Sequence, residues 1–287
     1  MMTPFFSKPV RELAGIRRSV RTYQDKDLEP EVRQKLQDCL ENVTGINGRS
    51  VKLSLVVADS APNGAKIGTY GMIRGARYYM AAVVGKGDGE ALLELGYVLE
   101  KAVLLATSLG LGTVWLGGTF NKGRFAKAVG LGPNEMLPIV VPVGYPSETM
   151  NLREWLMRKI PGSAHRKGWS ELFFSGNIQK PLESADAAGL KDALEALRLA
   201  PSAINVQPWR IIKNDDGSFS FYEAVSQNQM GFDMHMIDMG IALCHFDLAS
   251  CEAGHRGHFD FKKANGEMPH DLKYIASWSE NASHGQA

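Results

Sequence analysis

Apolar residues at Val32, Leu36, Cys39, Leu40 and Val43 recur at three- and four-residue spacing. This predicts a helix from Glu29 to Val43, with Pro30 suited to its first turn. The stretch VKLSLVVAD (51–59) alternates and is rich in Val and Leu, so it is predicted as a strand. ARYYMAAVVG (76–85) is a second strand, GTVWLGG (112–118) a third and MLPIVVPVGYP (136–146) a fourth. Between the second and third, Glu90 to Leu109 forms a long helical pattern ended by Gly110. From Met150 to Ser175 the pattern is mixed and broken by Pro161, Gly162 and Gly168, with Gly176 following, which suggests a connection between two halves. Beyond it, Leu190 to Leu199 is helical. WRIIKN (209–214) and SFSFYEA (218–224) form a hairpin across Asp216-Gly217, and a second long helix runs from about Phe232 to Ala253. WSENASHGQA (278–287) is expected to be a loose tail.

Composition adds bounds rather than identity. The 287 residues suffice for one large domain or two ordinary ones, and 44% hydrophobic with 22% charged residues is ordinary for a soluble globular protein. A formal net charge of +1 shows no concentrated basic excess of the kind that a nucleic-acid or membrane-surface role would favour. Cys39, Cys244 and Cys251 form no CxxC pair, which suits a reducing compartment, and cytoplasmic residence is expected. The segment MMTPFFSKPVREL lacks the apolar centre of a signal peptide. No apolar run is long and uninterrupted enough to span a bilayer.

The two halves resemble each other. Gly96 aligns with Gly240, Leu99 with Leu243 and Gly110 with Gly254, at a constant offset of 144 residues. Thr44 aligns with Ser202, and Ile46-Asn47 with Ile204-Asn205, at an offset of 158. Two matches in the same order suggest an internal duplication, divided here into a first half at 1–165 and a second at 166–287.

Five segments carry a resemblance to a known family: RRSVR (Arg17–Arg21), GLGTVWLGG (Gly110–Gly118), GYP (Gly144–Pro146), HRKGWSELF (His165–Phe173) and APSAINVQPW (Ala200–Trp209). As an ordered set they resemble the nitroreductase family of flavin-dependent oxidoreductases, in its internally duplicated form similar to the TM nitroreductase subgroup. The resemblance implies an α+β fold in which antiparallel sheets pack against long helices. It also implies FMN bound where two intertwined halves meet. In the family one subunit supplies the RRSxR, Gly-rich and basic segments, and the other supplies the Pro-Ser-x-x-Asn segment. Here the first half has RRSVR, GLGTVWLGG, GYP and Arg166-Lys167, but VTGINGRSV stands where PSxxNxQPW would fall. The second half keeps PSAINVQPW and lacks the others. The losses are complementary, so a single-chain pseudo-dimer with one complete flavin site is expected.

The resemblance then assigns roles. Arg17, Arg18, Arg166 and Lys167 would hold the FMN phosphate through charge-assisted hydrogen bonds, and Ser19 would add a hydroxyl. Arg21 would sit near the flavin edge that becomes anionic on reduction. Pro201, Ser202, Ala203 and Asn205 would pack against the ring and bond its edge, with Gln207 in support. Leu116, Gly117 and Gly118 would bring backbone close to the ring. The implied reaction is ping-pong hydride transfer from NAD(P)H to a nitroaromatic, quinone or similar small acceptor, with no catalytic His or Asp named. The alternatives are a flavin-binding protein without turnover and a relic without cofactor. Either a monomer or a homodimer is compatible. GKGDG (85–89) fits neither a dinucleotide fingerprint nor a phosphate loop. His255 and His258 near Cys251 do not have zinc spacing. Cys244 and Cys251 are assigned to the core, and so are Met230, Met234, Met236 and Met239, with the lining of an acceptor pocket as the alternative for these methionines.

Overall fold

The computed structural model describes residues 6–58, 68–148, 165–225, 231–262 and 271–282. Helices α1 (Val10–Ile16) and α2 (Pro30–Asn42) precede β1 (Lys52–Val57) and β2 (Tyr78–Gly85). The long helix α3 (Gly89–Ser108) leads to β3 (Gly112–Thr113), α4 (Lys122–Ala128) and β4 (Glu135–Gly144). The later part comprises α5 (Trp169–Leu172), β5 (Phe173–Ser175), β6 (Asn177–Pro181), α6 (Lys191–Arg198), a 3-10 turn at Ala203–Asn205, β7 (Trp209–Lys213), β8 (Phe219–Ala224), the long helix α7 (Met234–Glu252), β9 (Gly257–Asp260) and β10 (Leu272–Glu280).

Two sheets result. The first runs β1-β2-β4-β3 and is antiparallel throughout. The second runs β6-β5-β7-β8-β10-β9; in it β5 and β7 are parallel, and the other pairings are antiparallel. Strand β2 shows why the first sheet's sequence does not simply alternate. Tyr78, Met80, Ala82 and Val84 face the main core, while Tyr79, Ala81 and Val83 face a second cluster with Phe120 and Phe125. A strand covered on both faces is apolar at every position.

The two long helices form the middle of the main core. Each is buried nearly all round, which explains their largely uninterrupted apolar runs. Asp88 and Asp233 cap their starts, accepting from Ala91 N (2.9 Å) and His235 N (3.1 Å). Gly110 and Gly254 follow their ends with φ of 76° and 91°, the left-handed conformation that suits a helix stop. The helices cross at Gly96 and Gly240. A Cβ on Gly96 would lie 2.1 Å from the Ile237 carbonyl oxygen, and one on Gly240 would lie 2.0 Å from that of Leu93. The contact is reciprocal, and only glycine permits it.

Side chains reinforce this joint. Glu100 and His245 are fully buried, with Glu100 Oε1 2.8 Å from His245 Nε2. Trp115 Nε1 donates to Glu100 Oε2 at 3.1 Å, and His245 Nδ1 lies 3.0 Å from the Ala196 carbonyl. The sheets divide between the halves read from the sequence, but α1 crosses over. It packs on α6 and α7, with Arg11 paired to Asp192 and Glu252 Oε2 accepting from Val10 N.

Several local expectations are corrected. The third strand shrinks to Gly112–Thr113, because the chain leaves the ladder after Thr113 and returns for one bridge, Leu116 with Val140. Part of the supposed connection is the α5–β5 unit, and residues 149–164 lie outside the described residues. The tail is not loose at Trp278–Glu280. Those residues end β10, and Trp278 is buried against Phe219 and Phe246. Cys251 is exposed, not core, while Cys244 is buried; Met230 lies outside the described residues. Among the described residues, no helix is long and apolar enough to cross a membrane.

Candidate functional site

A cavity of about 300 Å³ forms where the two parts of the chain meet. From the first part come Ser19, Arg21, Leu116, Gly117 and Gly118; from the second come Pro201, Ser202 and Ala203. Hydrogen bonding explains how distant segments converge. Val20 N donates to the Thr113 carbonyl (2.9 Å), laying the RRSVR segment beside β3. Leu116 N and the Val140 carbonyl (3.0 Å), with Val140 N and the Leu116 carbonyl (3.1 Å), pin the following turn against β4. The Glu100 contact orients Trp115, which also lines the cavity. The tip of the Met234 side chain on α7 packs against Gly117, with Cε 2.3 Å from where a Cβ would stand.

The opposite segment is held in an unusual shape. Ile204, Asn205 and Gln207 have φ of 44°, 61° and 52°, the left-handed region. For a β-branched residue such as Ile204 this costs on the order of 1–3 kcal/mol and persists only where the surroundings enforce it. Asp238 Oδ1 accepts from Ala203 N at 2.9 Å, and Ser202 Oγ accepts from Gln207 N at 2.9 Å. Asn205 Nδ2 and Gln207 Nε2 both donate to the His165 carbonyl, at 2.6 and 3.2 Å. The result presents Ile204 at the cavity with 95% of its surface exposed.

Arg166 and Lys167 are gathered behind this turn. Arg166 donates to Asn205 Oδ1 and, at 3.1 Å, to the Leu199 carbonyl. Gln207 Oε1 accepts from Lys167 N at 2.8 Å. Asn205 and Gln207 therefore turn toward the basic pair instead of the cavity, which is lined by Ile204 in their stead. Burial, and then the charges of Arg17 and Arg198, push the Arg166 guanidinium down to about 10. Burial also lowers Arg17, with Glu100 opposing, and Arg17 Nε is buried without a hydrogen-bond partner. Arg18 is exposed. A half-buried guanidinium lowered by neighbouring cations is a place that an anionic group would stabilise.

The cavity wall also includes Met72, Val114, Thr119, Ile139, Ile237, Asp238 and Ile241, none assigned to the site from the sequence, and Met234, which was expected in the core. One signal was present. Asp238 falls at the 144-residue offset from Glu94, and both are acids within apolar helices. Their surroundings differ. Glu94 reaches the 45–48 loop and accepts from Ile46 N (2.9 Å), Asn47 N (3.1 Å) and Gly48 N (3.2 Å). It fills that place so closely that a Cβ on Gly45 would overlap its carboxylate.

The family profile described as "Putative TM nitroreductase" matches residues 10–250. The chain belongs to this nitroreductase family. A similar solved structure, described as a putative nitroreductase from Thermotoga maritima MSB8, has a TM-score of 0.59 at 20% identity, covering 94% of this chain and 92% of that one. It shares the fold. An FMN-dependent nitroreductase from Clostridium difficile R20291 is 16% identical with a TM-score of 0.38, covering 52% of this chain and 95% of that one. A nitroreductase family protein from Clostridium novyi NT is 19% identical with a TM-score of 0.39, covering 49% and 87%. No curated protein matches. The nitroreductase-like fold thus comes with a cavity that joins eight of the fourteen residues expected at the site, and with a basic cluster beside it that includes Arg17, Arg166 and Lys167.

Proposed function

We infer that this nitroreductase-family chain is an FMN-dependent oxidoreductase, driven by NAD(P)H and passing hydride to a nitroaromatic, quinone or similar small acceptor by a ping-pong scheme. The observation that carries this reading is the pairing of an apolar cavity with a cation cluster in which Arg166 is lowered by burial and by the charges of Arg17 and Arg198. A planar ring suits walls of Val114, Leu116, Ile139, Ile237 and Ile241, and a phosphate suits Arg17 and Arg166. When bound, FMN supplies reversible two-electron chemistry.

The chain's own tasks are binding, orientation and electrostatics. Arg17, Arg166, Lys167 and the exposed Arg18 hold the phosphate, and Ser19 adds a donor. Arg21 on the cavity wall places positive charge beside the ring edge that gains electrons. Pro201, Ser202 and Ala203 form one wall, and Asn205 and Gln207 keep the basic pair in place. Gly117 and Gly118 allow close backbone approach. The halves 1–165 and 166–287 are proposed as remnants of a duplication, a reading supported by the reciprocal Gly96–Gly240 contact and the paired acids Glu94 and Asp238. In this reading the mate of the cavity is closed by Glu94, and the chain carries one flavin. One subunit then suffices for one site, so a monomer is adequate and a homodimer is not required. Cytoplasmic residence accords with the reduced state that the three cysteines suggest.

Anaerobic addition of NADH or NADPH to the FMN-loaded chain should bleach the visible flavin bands, and a quinone should restore them. Retention of the oxidised spectrum with both nucleotides would favour a flavin-binding protein without turnover.

A further inference from the structure

Asp238 stands on α7 in the wall of the cavity, with 2% of its surface exposed. Its Oδ1 accepts from Ala203 N at 2.9 Å. Its Oδ2 is buried and has no hydrogen-bond partner. Glu94, at the corresponding place on α3, accepts three backbone N–H groups. Asp238 has one, and around it stand Ile204, Met234, Ile237 and Ile241. A carboxylate in such a place would be poorly compensated, since an ionised oxygen out of water needs donors or a counter-charge.

The surrounding charges point the same way. Glu223 on β8 and Asp233 at the start of α7 both act against a negative charge on Asp238. The neighbours of those acids are already engaged: the Lys273 ammonium lies 3.3 Å from Glu223 and 3.2 Å from Asp233, and the His235 ring Nδ1 lies 3.3 Å from Glu223. Arg21 is the cation that shares the cavity wall. Burial is the largest effect and, with the two acids, holds the carboxyl well above the usual range; only the Ala203 N–H opposes it. A neutral carboxyl that accepts through one oxygen has a proton to give through the other.

We propose that Asp238 is a neutral hydrogen-bond donor in the cavity wall, presenting its Oδ2–H to a carbonyl oxygen or ring nitrogen at the edge of the ligand. This rests on the flavin reading, for which the donor selects a ring whose edge carries lone pairs. It assigns to this chain a ligand-binding acid that lies outside all five sequence segments of the family resemblance.

The test uses the full chain with Asp238→Asn and Asp238→Leu. Asparagine can accept from Ala203 N and donate from its amide, whereas leucine can do neither. The first readout is the infrared difference spectrum, wild type minus Asp238→Asn, at neutral pH without ligand. It should contain the carbonyl band of a protonated carboxylic acid; a carboxylate signal in its place would overturn the proposal. The second is FMN titration by fluorescence from neutral to alkaline pH. Asp238→Asn should bind within about threefold of wild type and lose the alkaline fall in affinity that wild type shows. Asp238→Leu should bind about tenfold more weakly, the loss of one buried hydrogen bond. Equal affinity of all three proteins, or the same alkaline profile in wild type and Asp238→Asn, would refute donation to the ligand. If wild type binds no FMN, the flavin reading fails, and the band alone decides whether Asp238 carries a proton.

Discussion

One methyl group at Gly96 tests how tightly the two long helices must approach. The added Cβ would lie 2.1 Å from the Ile237 carbonyl oxygen, 2.9 Å from its carbon and 3.1 Å from Gly240 Cα. Favourable carbon–oxygen approach begins at about 3.3 Å, so the helices would have to separate by roughly 1 Å. All three obstructing atoms are backbone, and no side-chain rotation relieves the clash. Overpacking of this kind costs about 1–3 kcal/mol, and the upper end applies where nothing can yield. Alanine's better helix propensity returns up to about 1 kcal/mol. The net loss for Gly96→Ala is therefore about 2 kcal/mol, which in a chain of this size lowers Tm by roughly 3 °C. Gly15→Ala is the control. Gly15 is exposed on α1 with nothing within 4 Å of its Cβ position, so the same change there should leave stability equal or raise it. Calorimetry and urea unfolding of both variants would decide. A Gly96→Ala protein as stable as wild type would refute the close crossing, and with it the placement of Ile237, Asp238 and Ile241 on the cavity.

Three further outcomes follow from the same geometry. Glu94→Ala strips the partners from the N–H groups of Ile46, Asn47 and Gly48. Equilibrium unfolding should show a loss of about 3 kcal/mol, and a loss under about 1 kcal/mol would contradict the structural role given to it. Arg17→Met removes a half-buried cation whose Nε is buried without a partner, so it should raise Tm in phosphate-free buffer while weakening FMN binding; a variant that binds FMN as wild type does would remove Arg17 from the phosphate site. Asp238 holds its proton more tightly when folded than when unfolded, so its contribution to stability falls as pH rises above about 4. Asp238→Asn lacks this proton linkage, and its Tm relative to wild type should climb from acidic to neutral pH. A constant difference across that range would contradict a raised Asp238.

The parts of the fold legible in the sequence were those whose local pattern agrees with their packing. Both long helices, with Asp and Gly at their ends, and strands β2, β4, β7 and β8 follow from periodicity and turn residues. Strand β10 was hidden because its pairing with β8 shifts register between Tyr274 and Ala276. Buried residues at Leu272, Ile275, Ala276 and Trp278 then break the simple alternation. The third strand was overextended because Trp115 to Gly118 are apolar for the sake of a cavity wall rather than a ladder. Residues of the RRSVR, GLGTVWLGG and APSAINVQPW segments meet at the cavity, but the motifs did not convey the direction of each side chain. Asn205 and Gln207 turn toward Arg166 and Lys167, a consequence of left-handed backbone that no spacing rule conveys. Asp238 was passed over because a single acid inside an apolar helix has no motif. Its meaning comes from one N–H at Ala203 and from what surrounds the other oxygen.

The central claim is that two dissimilar halves build one flavin site. Its most direct test is to reconstitute the purified chain with excess FMN, remove unbound flavin and measure flavin per chain. The account predicts one equivalent, lost together with phosphate affinity in Arg17→Met. Two equivalents would mean that the loop held by Glu94 leaves a second site open, and none would contradict the flavin reading itself.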